Sequence, residues 1–139
     1  MENCIFCKII SGLIPSNKVY EDDFTFAFMD ISPINPGHLL VVPKKHFTET
    51  KDYDEETGNH LFNTAIKIEK ALRKSNVVTC QGTNFFIANG AAAGQEVFHS
   101  HLHIIPRYKG DNFKLRIEKS DKPTMEELKN IALIINNNI

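Results

Sequence analysis

Residues 99–105 read His-Ser-His-Leu-His-Ile-Ile, and that alternation leaves the chain few ways to run through them. An extended strand turns successive side chains to opposite faces. Val97 to Arg107 is therefore expected to form one long strand, with His99, His101 and His103 in a row on one face, spaced by about 6.5–7 Å. Ser100, Leu102 and Ile104 then belong to the other face. Taking three imidazoles out of water is costly unless something is gained in return. Two chemistries use such a row. His-x-His on a strand is a common metal-ligand geometry. A neutral imidazole is also a nucleophile that can attack phosphorus and leave again, flanked by groups that orient it or move a proton.

The segments around this strand alternate at a period of two or of 3.6. Ile5 to Ile10 reads as a short helix stopped by Ser11-Gly12. Lys18 to Glu21 and Phe24 to Met29 read as strands joined by an Asp22-Asp23 turn, with Phe24, Phe26 and Phe28 as a core stripe. Ser32 to Gly37 is a loop, and His38 to Pro43 is a third strand. Asp52 to Ser75 has a helical pattern with Leu61, Phe62, Ala65, Ile66, Glu69 and Leu72 on one face and Asp52 with Glu55 as its cap. Phe85 to Ala88 is a short strand, followed by a small-residue loop from Asn89 to Gly94. Thr124 with Glu127 opens a C-terminal helix containing Leu128, Ile131 and Ile135. Hairpin-like strands beside segregated helices predict an α+β fold on an antiparallel sheet.

The 139 residues fit one domain, 1–139, and 42% are apolar, enough for a packed core. Sixteen basic and seventeen acidic side chains nearly cancel, which argues against a partner held mainly by charge, nucleic acid above all. No apolar run approaches the length that spans a bilayer, and the N-terminus is no secretory signal. A cytoplasmic, reducing compartment is the expectation, so the three cysteines are read as thiols. Cys4-x-x-Cys7 then suggests zinc or redox chemistry, and zinc would need two further ligands.

The motifs taken together resemble the histidine triad family. They occur in that family's order: Cys4-Ile5-Phe6-Cys7, Phe28-Met29-Asp30-Ile31-Ser32-Pro33, Pro36-Gly37-His38 running to Pro43-Lys44-Lys45-His46, Asn89, Gly94-Gln95, and the triad itself. The matching core spans about 4–107, leaving 108–139 as a C-terminal extension. The resemblance implies a five-stranded antiparallel sheet with a long helix and a short N-terminal one, paired into a homodimer. It implies a hydrolase of purine nucleoside phosphoramidates or related nucleotidyl conjugates, releasing a nucleoside monophosphate. The alternatives are a dinucleoside polyphosphate hydrolase of the same fold and a nucleotide-binding or scaffold protein with vestigial activity.

Residue by residue, the resemblance makes His101 the nucleophile, with His103 on phosphate, His99 near the leaving group or structural, and His38 packed beside them. It gives Asn89 and Gln95 to phosphate oxygens and Asp30 to the ribose hydroxyls. Ile31, Phe6 and Ile10 would line the base pocket. It completes a structural zinc site from Cys4, Cys7, His46 and His99, and requires no catalytic metal. One position departs from the pattern: Glu96 stands where some members carry a serine that assists the leaving group.

Overall fold

The computed structural model describes residues 3–115, 118 and 122–139. The element order is α1 (Ile5–Ile10), β1 (Lys18–Glu21), β2 (Thr25–Met29), β3 (Leu39–Pro43), α2 (Glu55–Lys74), β4 (Gly82–Phe86), β5 (Leu102–Arg107) and α3 (Met125–Asn136). The five strands form one sheet in the order β1-β2-β3-β5-β4, every pair antiparallel. The expected α+β architecture is therefore present. Among the described residues no helix is long and apolar enough to cross a membrane.

Strand alternation sorts the core onto the two faces of the sheet. Ala27, Leu39, Val41, Leu102 and Ile104 face α2, where they meet Leu61, Ala65 and Ile68. Phe26, Phe28, Leu40 and Val42 face the other way, against Phe6 of α1. Leu40 lies opposite His103 in the β3–β5 register. The histidines therefore belong to the α1 face, with Leu102 and Ile104 buried against α2. The triad face is set by the same one-residue alternation that fills the core.

Local structure differs from expectation at several places. The strand through the triad begins at Leu102, so Val97 to His101 lies outside the ladder, with a bend over Val97 to His99. Its backbone is held otherwise: the Ser100 N–H donates to the Phe47 carbonyl at 2.7 Å. Helix α2 starts at Glu55 behind Asp54, whose carboxylate accepts the Thr57 N–H at 2.8 Å. Asp52 instead closes a short 3-10 turn with Glu49. The buried face of α2 is Thr57, Leu61, Thr64, Ala65 and Ile68. Phe62 and Ile66 remain 49% and 42% exposed, with Phe62 edge-on to Phe85. Phe24 leaves the core stripe and stacks on His60, ring centroids 3.8 Å apart.

Two turns aim residues at the site. Gly37 has φ +89°, and a Cβ there would lie 3.2 Å from Pro106 and Val78, so the tight loop before His38 requires glycine. The Asp22 carboxylate accepts the N–H groups of Phe24 and Thr25 at 2.9 and 2.7 Å, closing the β1–β2 hairpin. At the far end of the chain, α3 carries the expected Thr124–Glu127 capping box. It keeps Leu128, Ile131 and Ile135 exposed.

Candidate active site and metal centre

The triad histidines stand on one face. His99 and His101 both pack edge-on against Phe6, at 5.9 and 5.2 Å between centroids. His101 and His103 are 4.9 Å apart, and His38 joins His103 at 5.1 Å. On the opposite face Ser100 accepts a hydrogen bond from the Tyr53 hydroxyl at 2.8 Å. His99 and Ser100 are fully buried and His101 nearly so.

The hydrogen bonds assign a tautomer to each ring. His101 Nδ1 lies 2.8 Å from the His99 carbonyl, which can only accept, so Nδ1 carries the proton. Nε2 of His101 is left with its lone pair free. The Ile34 N–H donates to His38 Nδ1 at 3.1 Å, so the His38 proton sits on Nε2. That Nε2–H points at His103 Nδ1, 2.9 Å away. His103 consequently holds its own proton on Nε2. The row thus pairs one unprotonated ring nitrogen with a neighbouring N–H donor.

Burial keeps the rings neutral. It lowers His101 below the ordinary histidine range, opposed by the bond to the His99 carbonyl and by Asp30. It takes His103 to about 4, with His101 and His38 adding to the effect and Asp30 opposing it. His38 is lowered by burial, again against Asp30. The Asp30 carboxylate lies 3.6 Å from His38 Nε2 and 3.9 Å from His103 Nδ1. A neutral imidazole is the nucleophilic form, so these shifts keep the row competent at neutral pH.

Two adjoining cavities open on this face. The larger, about 570 Å³, is walled by Phe6, Ile9, Ile14, Ile31 and Leu40, with Asp30, His38 and His103 on its floor. The smaller, about 270 Å³, contains His101 and His103 with Phe86, Ala88 and Gly94. Asp30, Glu96, Val97 and His103 border both. A third cavity of about 480 Å³ on the α2 face, among Val19, Met29 and Leu72, holds none of the histidines.

The structure brings Phe6, Asp30, Ile31, His38, His101 and His103 together around these cavities. His99 is buried and lines neither cavity. Ile10 does not line either cavity; Ile9 and Ile10 both pack on the core cluster of Phe6, Phe26 and Phe28, and Ile9 also reaches the cavity. Asn89 lies outside both, with its side-chain oxygen accepting the Thr50 N–H at 2.9 Å. Gln95 is buried with its amide fully engaged: Oε1 accepts from Gly90 N, and Nε2 donates to the Thr48 and Val97 carbonyls. In this arrangement the Gln95 side chain clamps the loop from Gly90 to Val97. Phe86 was not singled out from the sequence; it sits directly opposite His103 in the β4–β5 register and walls the smaller cavity. An apolar strand residue in register with a triad histidine is the signal that points to it.

Beside the triad lies a second cluster. Cys4, Cys7, His46 and His99 bring their ligand atoms within 4.8 Å of one another. His99 Nδ1 is 3.4 Å from Cys4 Sγ and 3.5 Å from Cys7 Sγ, and His46 Nδ1 is 3.4 Å from Cys7 Sγ. Sulfur and nitrogen ligands on one tetrahedral zinc lie about 3.5 Å apart, given bonds of about 2.3 and 2.05 Å. His99 Nε2 donates to the Pro43 carbonyl at 2.8 Å, which leaves Nδ1 unprotonated and aimed at the sulfurs. Burial pushes the Cys7 thiol up, with the Cys4 thiol adding to it. The donor set and its spacing fit a zinc ion.

Asp30, His38 and His103 also gather three potential ligand atoms. Their hydrogen bonds argue against an ion there. A metal would need the lone pair of His38 Nε2, and the Ile34 N–H at Nδ1 keeps a proton on that Nε2.

Comparison with known proteins gives a consistent picture. The HIT domain matches residues 11–110. A crystal structure of a HIT family protein from Bacillus subtilis is 45% identical, covers 99% of this chain and 97% of its own, and superposes with a TM-score of 0.90. A zinc-bound histidine triad family protein from Mycobacterium smegmatis is 34% identical over 99% of both chains, with a TM-score of 0.77. An adenylylsulfatase from Arabidopsis thaliana is 38% identical over 109 residues, which are 78% of this chain and 54% of that protein.

Proposed function

The chain belongs to the HIT domain family, and from that premise we propose that it is a nucleotide-binding hydrolase acting on purine nucleoside phosphoramidates or related nucleotidyl conjugates. The observation that carries the reading is the tautomer of His101. Its Nδ1–H is tied to the His99 carbonyl, so the Nε2 lone pair faces a cavity instead of the backbone. Nε2 attacks the α-phosphorus, the P–N bond to the leaving amine breaks, and the amine takes up a proton. A nucleotidyl-His101 intermediate results. Water then attacks the same phosphorus and gives up a proton, the P–Nε2 bond breaks, and the nucleoside monophosphate leaves. The His103 Nε2–H is a neutral donor for the phosphate oxygens that gain charge in both transition states. The apolar walls of Phe6, Ile9 and Ile31 suit a purine, and Asp30 suits the ribose hydroxyls.

This chemistry uses no catalytic metal. Zinc belongs in the reading as a structural ion held by Cys4, Cys7, His46 and His99, which would tie α1 and the chain after β3 to the triad strand. The protein is further read as a cytoplasmic homodimer. Support comes from the outer edge of β4, which pairs with no further strand among the described residues, and from the half-exposed Phe62 and Ile66 on α2. Two such edges would join into a ten-stranded surface.

Acid quenching during turnover of adenosine phosphoramidate, followed by peptide mass spectrometry, tests the mechanism. The nucleotidyl group is expected on His101, and His101→Gly is expected to abolish both the adduct and turnover. A His101→Gly protein that still turns over would overturn it. Parallel assays on diadenosine polyphosphates and on adenylyl sulfate rank the conjugate classes.

A further inference from the structure

The two cavities carry charge of one sign. Asp30 and Glu96 border both, and among the described residues no Lys or Arg lines either. Asp30 is partly committed, accepting the Ser32 N–H at 2.8 Å and lying beside His38. Glu96 is exposed to solvent while bordering both cavities. The backbone beneath it is fixed, because Gly94 turns with φ +84° and the buried Gln95 amide bonds to Gly90, Thr48 and Val97. Glu96 therefore projects from a clamped loop into the space that also holds His101.

We infer that Glu96 is a specificity-determining residue for the leaving group, favouring conjugates whose leaving amine bears a further positive charge and disfavouring anionic leaving groups, polyphosphates included. This rests on the nucleotidyl-transfer reading above. In-line displacement at phosphorus places the leaving group away from the attacking His101 Nε2. Glu96 lines the same small cavity as His101, so a leaving group held in that cavity lies within reach of its charge. A phosphoramidate brings a single negative charge on its phosphate. A dinucleoside polyphosphate brings several more on the leaving side, where the site offers a carboxylate and, among the described residues, no Lys or Arg. For an assumed separation of about 7 Å and an effective dielectric of about 40–80, one carboxylate changes the binding of a unit charge by about three- to eightfold. The effect has opposite sign for a cation and an anion, so a matched pair separates by about tenfold or more.

Three adenosine 5′-phosphoramidates that share a two-methylene spacer provide the test: the conjugates of ethylenediamine, propylamine and β-alanine. Their distal groups are an ammonium, a methyl and a carboxylate. Wild-type kcat/KM is expected to fall in that order, with the ammonium-to-carboxylate ratio at about ten or more at low salt and shrinking as salt screens it. Glu96→Gln is expected to bring the ratio near one, and Glu96→Lys to reverse it. Cleavage of all three with the same ratio in wild type and Glu96→Gln overturns this inference alone. Failure of wild type to cleave any of them overturns the phosphoramidase reading, and this inference with it. Glu96 is exposed, so neither substitution disturbs packing, and a ratio between substrates is insensitive to a general loss of active protein.

Discussion

The neutral state of His103 has a measurable cost in acid. Burial first, then His101 and His38, take its pKa to about 4, against the opposing pull of Asp30. Its side chain is 21% exposed, so solvent screening is modest. In the unfolded chain the imidazole titrates near the ordinary value of about 6.5. Between those two values the unfolded state holds more protons, so stability falls as pH falls. Above about 6.5 both states are neutral and His103 contributes no pH dependence, and below about 4 both are charged and the loss levels off. Going from about pH 7 to about pH 5, this one residue is expected to cost about 2 kcal/mol. Urea unfolding at those two pH values measures it, comparing wild type with His103→Gln, which cannot titrate. The wild-type loss should exceed the variant's by about 2 kcal/mol at an unchanged m-value. The His103 ring signals in an NMR titration should show a midpoint near 4. Equal losses in the two proteins, or a midpoint near the unperturbed value, would refute the burial argument and with it the neutral donor assigned to His103.

Other consequences are more local. Leu61 is 1% exposed in the core against the sheet, and Leu61→Ala should lower unfolding stability by about 2–5 kcal/mol in urea titrations. Tyr53→Phe removes the donor to the buried Ser100 hydroxyl and should cost about 1–3 kcal/mol, with thermal unfolding as a second check. Protein purified without chelators should carry about one zinc per chain, and Cys7→Ser should lose it together with thermal stability. Light scattering should give a mass near twice the 15.8 kDa chain, and Phe62→Glu combined with Ile66→Glu should return it to one chain.

The alternation at residues 99–105 was enough to place three imidazoles on one face, because a period of two survives even where strand pairing does not. The sequence did not show where pairing stops. His99 and His101 precede β5, and only the partner strands decide that the ladder starts at Leu102. The α2 cap illustrates the same limit. Asp52 with Glu55 and Asp54 with Thr57 are both plausible pairs by residue type, and a two-residue shift followed once Glu49 and Asp52 closed their own turn. That shift goes with a buried face through Thr57, Thr64 and Ile68, leaving Phe62 and Ile66 half-exposed. In α1 the neighbouring isoleucines are chemically alike and both pack on the Phe6 cluster, and a rotation of about 100° per residue leaves Ile9, not Ile10, at the cavity. Gln95 was recognisable as a residue of interest, but its contacts are with carbonyls and an N–H of its own loop neighbourhood, which no linear pattern encodes.

The start of the triad outside the ladder explains why the thiol cluster lies where it does. The nucleophile proposed above, His101, must be held still, and ladder hydrogen bonds do not begin until Leu102. Residues 99–101 are instead fixed from three directions. The Ser100 backbone bonds to Phe47, its hydroxyl receives the Tyr53 bond, and the His99 ring is held by Pro43 on one nitrogen. The other His99 nitrogen faces Cys4 and Cys7. The carbonyl of that same residue receives the His101 Nδ1–H and so sets which nitrogen of the proposed nucleophile is free. His99 therefore joins the two sites through its side chain and its backbone at once. An ion bound by the cysteines would immobilise the residue whose carbonyl selects the reactive tautomer. That gives a structural metal, one residue removed from the chemistry, a direct physical route to the rate.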